Sequence, residues 1–127
     1  MPISTPWGIS QKIDQLGLGI LEIQTLVHGG IGVPFSLRKK FPQAFQRLLE
    51  SDWALQDGEY FWFERDQNFC IPVIAFPFIA KTRDRLVYAI DTLRDWHPDL
   101  YEALYGVKLT PANSYLLHIE AVGFDDS

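Results

Sequence analysis

Three glycines in four residues, Gly29, Gly30 and Gly32, follow directly on Thr25-Leu26-Val27-His28, and no other segment restricts the fold as much. Glycine at such density permits either a left-handed backbone or the close approach of another group to bare main chain. Residues 19–27 before it read as a strand, with Leu21, Ile23 and Thr25 on one face and Glu22 and Gln24 on the other. The run Gly29-Gly30-Ile31-Gly32 is then expected to break that strand. His28 at the strand end has two readings. Beside exposed amides, an imidazole can meet an anion or a polarised carbonyl. It can equally bond to neighbouring backbone and order the turn.

Two other segments carry unusual side chains. Thr5-Pro6-Trp7-Gly8 lies in a stretch where Pro2 and Pro6 argue against any regular element over residues 1–8. Trp7 there is either a lid over the His28 turn or simple burial of the N-terminal segment. Phe61-Trp62-Phe63-Glu64-Arg65-Asp66 belongs to a strand over residues 59–64, with Tyr60, Trp62 and Glu64 on one face and Phe61 and Phe63 on the other. Glu64 and Asp66 share a side and could share a proton, hold a metal or pair with a cation. The three histidines, His28, His97 and His118, have no metal-binding spacing, so no metal site is expected. No phosphate loop, dinucleotide fingerprint or nucleophile-elbow motif occurs, and no cofactor is implied.

The rest of the chain supplies a core. Of 127 residues, 47% are apolar and 14% aromatic, which excludes a disordered chain and fits one domain over 1–127. Ser36 reads as the N-cap of a short helix to Phe41, and Pro42 opens a second over residues 42–49 with Phe41, Phe45, Leu48 and Leu49 inward. Asp57-Gly58 signals a turn, and residues 68–80 read equally as a strand or a buried helix near 70–76. Thr82 caps a helix carrying Leu86, Ala89, Ile90, Leu93 and Trp96 on one stripe. A helix over 98–105 ends at Gly106, and residues 114–122 read as a last strand. These elements amount to an α+β fold: a single compact domain whose small, mostly antiparallel sheet is flanked by three to four helices.

Charge and cysteine usage narrow the partners. The net charge of −5 disfavours direct nucleic-acid binding, which needs a basic face. Asp52, Asp57 and Glu59 cluster in the connection between the second helix and the 59–64 strand, where carboxylates would attract a basic groove on a partner. Cys70, the one cysteine, sits in the apolar run Phe69-Cys70-Ile71 and reads as inert core. No secretory signal or membrane-spanning stretch is seen, so a cytoplasmic protein that does not enter a membrane is expected.

The combination of Thr5-Pro6-Trp7-Gly8 with Gln11, Gly19-Ile20, Thr25 to Gly30, Trp62 to Asp66, and Asp95-Trp96-His97-Pro98-Asp99 running to Gly106, Leu109, Pro111 and Ser114 resembles an uncharacterised bacterial domain family. That family occurs in plasmid- and phage-borne proteins, sometimes beside antirestriction-type domains. The resemblance marks Trp7, Gly8, His28, Gly29, Gly30, Trp62, Glu64 and Asp66. Arg65 stands where the pattern usually has a second acid, and Gln67 where a cysteine is common. Any thiol or triple-acid chemistry of the family would therefore be lost here. The resemblance implies a setting rather than an activity. The leading expectation is a non-enzymatic inhibitor, anti-CRISPR-like or antirestriction, that binds a host protein or ribonucleoprotein with a basic groove. The alternatives are a small enzyme using His28 with Glu64 or Asp66, and an acidic immunity or assembly protein.

Overall fold

The computed structural model describes residues 4–50, 55–57, 59–66 and 68–123. Strands β3 (Lys12–Gly17), β4 (Ile20–Gln24), β5 (Gly29–Pro34), β6 (Leu55–Asp57) and β7 (Tyr60–Glu64) form one sheet in the order β3-β4-β5-β7-β6, every pairing antiparallel. A separate two-stranded hairpin, β1 (Ser4–Thr5) with β2 (Gly8–Ile9), precedes it. Among the described residues the α-helices are α1 (Gln43–Gln46), α2 (Cys70–Ala75), α3 (Arg83–Trp96), α4 (Pro98–Tyr105) and α5 (Tyr115–Val122). The α+β expectation holds.

Side-chain alternation divides the sheet into two unlike faces. Ile20, Ile31, Val33, Phe61 and Phe63 face the helices and join Phe41, Phe45, Ile71, Val73, Ala89 and Leu93 in the main core. Phe41 packs edge-on to Phe61 and Phe76, with ring centroids 6.3 and 5.1 Å apart, an arrangement that favours the ring quadrupoles. Trp62 and Ile23, both buried, lie on the opposite, outer face. Apolar Leu21 and Ile23 therefore point away from the helices, whereas Ile20 and Glu22 point toward them. Glu22 is tied to α3 by a two-toothed ion pair with Arg85, at 3.1 and 2.7 Å.

Several local expectations are corrected. The glycine run does not break the sheet; Gly29–Pro34 is its middle strand, because the preceding strand ends at Gln24 and the chain turns back within Thr25 to His28. Residues 1–8 are not irregular throughout, since Pro6 falls in the turn between β1 and β2, where its fixed φ costs no ladder bond. Strand β3 has no counterpart in the expected elements; it closes on β4 through Gly17-Leu18-Gly19, with Gly17 at φ 115° and Gly19 at φ 82°. Ser36 caps nothing: a 3-10 segment spans Phe35–Lys40 after Pro34, and Pro42 stands before α1 rather than inside it. The 68–80 ambiguity resolves as α2 plus a 3-10 turn at Pro77–Ala80, with Pro72 in the first turn of α2, where its missing N–H is harmless.

Residues 114–122 are a helix, not a strand. Leu116, Leu117, Glu120 and Ala121 are all better helix than strand formers. The Ser114 hydroxyl donates to the Arg94 carbonyl at 2.8 Å, and the Tyr115 N–H donates to Asp95 at 3.3 Å, fastening the start of α5 to α3. The Thr82 cap is as expected, its hydroxyl accepting from the Arg85 N–H at 3.2 Å, and Gly106 ends α4 in the left-handed region. Of the α3 stripe, Ala89 and Leu93 are fully buried, while Leu86, Ile90 and Trp96 are half-buried.

Candidate functional site

The outer face of the sheet gathers the residues that the sequence singles out. The ladder sets Gly30 opposite Glu64 and Gly32 opposite Trp62. Trp7, carried on the turn of the N-terminal hairpin, lies across Gly30 and meets Trp62 edge-on with centroids 5.9 Å apart. Tyr60 extends the row, 5.1 Å from Trp62. A Cβ on Gly30 would collide with the Trp7 ring and with the Phe63 carbonyl oxygen, and one on Gly32 with the Trp62 ring. Neither glycine has a left-handed φ. The glycines leave room for indole rings to pack directly on bare strand, which is the close-approach use of glycine. Trp7 thus packs on Gly30, two residues from His28, and on Trp62. The Thr5 hydroxyl fixes its turn, donating to the Gly8 carbonyl at 2.7 Å and accepting from the Trp7 N–H at 3.2 Å.

Gly29 serves a different neighbour. The Arg65 guanidinium packs on it from the helix-side face, and the Arg65 N–H donates to the Gly29 carbonyl at 3.0 Å. Arg65 also borders a polar hollow of about 150 Å³ with Lys12, Asp14, Glu22 and Gln24. Arg65 is therefore a packing element of this sheet end.

His28 closes a tight turn through its backbone. Its carbonyl accepts from the Thr25 N–H at 2.8 Å and from the Thr25 hydroxyl at 3.1 Å, and its N–H donates to that hydroxyl at 3.1 Å. The imidazole is exposed and plays no part in ordering the turn. Leu26 and Val27, at the tip, are 86% and 77% exposed. On the adjoining strand Glu64 is half-buried and Asp66, one residue past Arg65, is exposed. Ladder parity puts His28, Gly30 and Glu64 on the same face and at the same end of the sheet.

The acidic connection divides. Asp52 lies outside the described residues, as does Gly58. Asp57 ends β6 opposite Tyr60. Glu59 is exposed, and its backbone carbonyl accepts from the Phe35 N–H at 2.9 Å. Cys70 is fully buried, and loss of solvent pushes its thiol up to about 12, which leaves no thiolate at neutral pH. Among the described residues no three His, Cys, Asp or Glu side chains are grouped to hold a metal, and no helix is long and apolar enough to cross a membrane.

A second concavity went unnoticed in the sequence. A cleft of about 840 Å³ opens between α1, the α3–α4 joint and α5, bordered by Arg47, Trp96, Asp99, Leu116, Leu117 and Glu120 among others. It exists because residues 114–122 are a helix and Trp96 is half-buried rather than core. The signal that could have revealed it is Pro98 directly after Trp96-His97, which forces α3 and α4 apart at a joint.

Residues 1–124 match the family described as a domain of unknown function, DUF7007. No curated protein and no solved structure matches the chain.

Proposed function

The chain belongs to the DUF7007 family, and from its surface we propose that it is a non-enzymatic protein-binding domain whose contact region is the His28 end of the sheet. The observation that carries this is the apolar pair Leu26 and Val27, 86% and 77% exposed at the tip of a turn held by three Thr25–His28 hydrogen bonds. Tight hairpin tips usually carry Gly, Asn or Asp. Two branched apolar side chains held out there are preorganised anchors, and preorganisation lowers the entropic cost of binding. Beside them stand His28, Glu64 and Asp66, a polar rim with carboxylates that suits a partner with a basic margin. Behind the rim the Trp7 and Trp62 rings pack on Gly30 and Gly32.

In its finer form the proposal is a protein of a mobile genetic element that occupies the basic groove of a host defence nuclease complex, as an anti-CRISPR-like or antirestriction inhibitor. Its support is the acidic balance and the family resemblance. The test is to express the chain in cells carrying a CRISPR or restriction system and to measure phage plating, followed by cleavage assays with the purified nuclease. Wild type should raise plating, and Leu26→Ser with Val27→Ser should remove the effect while the protein stays folded. No protection against any system, or full protection from the double variant, overturns the respective half of the proposal.

The second reading is an enzyme using His28 with Glu64 or Asp66, favoured by the common sheet end of these three. His28→Ala separates the two: a binder keeps most of its effect, whereas an enzyme with His28 as its base loses a factor of about 10² or more.

A further inference from the structure

The cleft between α1, α4 and α5 lies among the helices and is made by different residues from the His28 end of the sheet. Its volume of about 840 Å³ falls in the usual range for small-molecule sites. Two features of its walls mark it as unfilled. Six of the eight residues of α5 are apolar, yet none of them is buried. Leu116 and Leu117 border the cleft half-buried, and Trp96 beside them is half-buried as well. A short helix this apolar is held against a globular protein by burying a stripe of its surface; here apolar area still faces the cleft.

The charges around that apolar surface are of both signs. Arg47, at the end of α1, is exposed and, like Arg65 and Arg83, makes no ion pair among the described residues, so its guanidinium is available at the cleft it borders. The same cleft is bordered by Asp99, in the first turn of α4, and Glu120 on α5. A purely anionic ligand would meet Arg47 and be repelled by two acids. A purely cationic one would meet the acids and be repelled by the guanidinium. The set complements a dipolar molecule with an apolar body.

We propose that this cleft binds a zwitterionic amphiphile of the amino-acid and short-peptide class, its carboxylate on Arg47, its ammonium toward Asp99 and Glu120, and its apolar part on Trp96, Leu116 and Leu117. Guanidinium–carboxylate contact supplies orientation, and the leucines and indole supply buried area. Nothing in this inference depends on the protein-binding proposal.

The experiment titrates ¹⁵N-labelled full-length protein with L-leucyl-L-phenylalanine and with its N-acetylated and C-amidated forms. The free dipeptide should shift the Trp96 indole and the Leu116 and Leu117 amides saturably. Each blocked form should bind about tenfold more weakly, the usual worth of one charge-assisted contact. Arg47→Met should erase the preference for a free carboxylate, and Asp99→Asn with Glu120→Gln the preference for a free amine. These positions lie at the surface, so the variants should fold; Leu117→Asp, which spoils the apolar wall, is the control that should abolish binding by all three ligands. The proposal is overturned if about 10 mM dipeptide, enough to reveal even a millimolar complex, moves no cleft resonance. Equal binding of the blocked forms, or unchanged preferences in the charge variants, also overturns it.

Discussion

Adding one methyl group at each of the three clustered glycines gives three different costs, because three different atoms are in the way. At Gly30 a Cβ meets the Trp7 ring and the Phe63 carbonyl oxygen. The carbonyl belongs to the neighbouring strand of the ladder and cannot swing aside. Forcing a methyl into a packed site costs about 1–3 kcal/mol. Displacing Trp7 forfeits its edge contact with Trp62, worth about 0.5–1.5 kcal/mol. Against this, alanine reduces the freedom of the unfolded chain by about 0.4–1 kcal/mol. Gly30→Ala should therefore destabilise by about 2–3 kcal/mol net. At Gly29 the obstacle is the far end of Arg65, an exposed and flexible side chain that can move away, so the same change should cost within about 0.5 kcal/mol of zero. At Gly32 the nearest obstacle is the Trp62 ring, a side chain rather than backbone but a buried one, and a cost between the other two is expected. Urea unfolding at a common m-value reads the series; with m near 1–3 kcal/mol per molar, Gly30→Ala should lower the midpoint by about 0.7–3 M. In a Trp7→Ala background the Gly30→Ala cost should shrink but not vanish, since the Phe63 carbonyl remains. If Gly30→Ala costs no more than Gly29→Ala, the indole-on-strand account of this sheet is wrong.

Leu93→Ala, at a fully buried site in the core under α3, should cost about 2–5 kcal/mol in the same assay. Arg85→Ala breaks the half-buried Glu22 pair and should cost about 1–2 kcal/mol, more than Arg38→Ala at its exposed pair with Glu50, and a double-mutant cycle should return most of that as coupling. Cys70 ionises near the ordinary thiol value when unfolded but only at about 12 when folded. The unfolded chain therefore holds fewer protons from about pH 9 upward, and stability should fall as pH rises from about 9 to about 12. Cys70→Ala, probed by denaturant midpoints across that range, should flatten this part of the slope, and the native thiol should resist a colorimetric disulfide reagent at pH 8.

What the sequence disclosed of the fold follows the range of the interactions. Thr82, Leu93, Pro98 and Gly106 act within a few residues of themselves, and the helices they bound fall where spacing puts them. The alternation Tyr60-Phe61-Trp62-Phe63 likewise needs only the pleat to be read, and its two faces hold. Residues 114–122 are hard to read because the apolar run has neither strict alternation nor a clean helical stripe; beside the helix preference of Leu116, Leu117, Glu120 and Ala121, the helix start is fastened by the bond from Ser114 to Arg94, twenty positions away. The glycine run likewise depends on distant partners. Locally, Gly-Gly-Ile-Gly is a breaker; it becomes a strand only once Trp7, Trp62 and Arg65 arrive from elsewhere to cover the bare backbone.

The same distinction applies to the candidate site. Residue types alone drew attention to His28, Glu64, Asp66 and Trp7, and pairing in the sheet does bring the first two to one end with Asp66 just beyond. Their roles depend on what surrounds them, which residue types do not specify: the backbone of His28, rather than its imidazole, is what the turn uses. Leu26 and Val27 were overlooked because they look like the apolar end of a strand. Only the hydrogen bonds closing Thr25 on His28 turn them outward. A branched apolar pair at a strand end would ordinarily be core, and one residue of register would have made it so. Holding it in solvent removes the stabilisation of burying two apolar side chains, about 1.5–3 kcal/mol each, so a partner that covers them recovers what folding leaves unused.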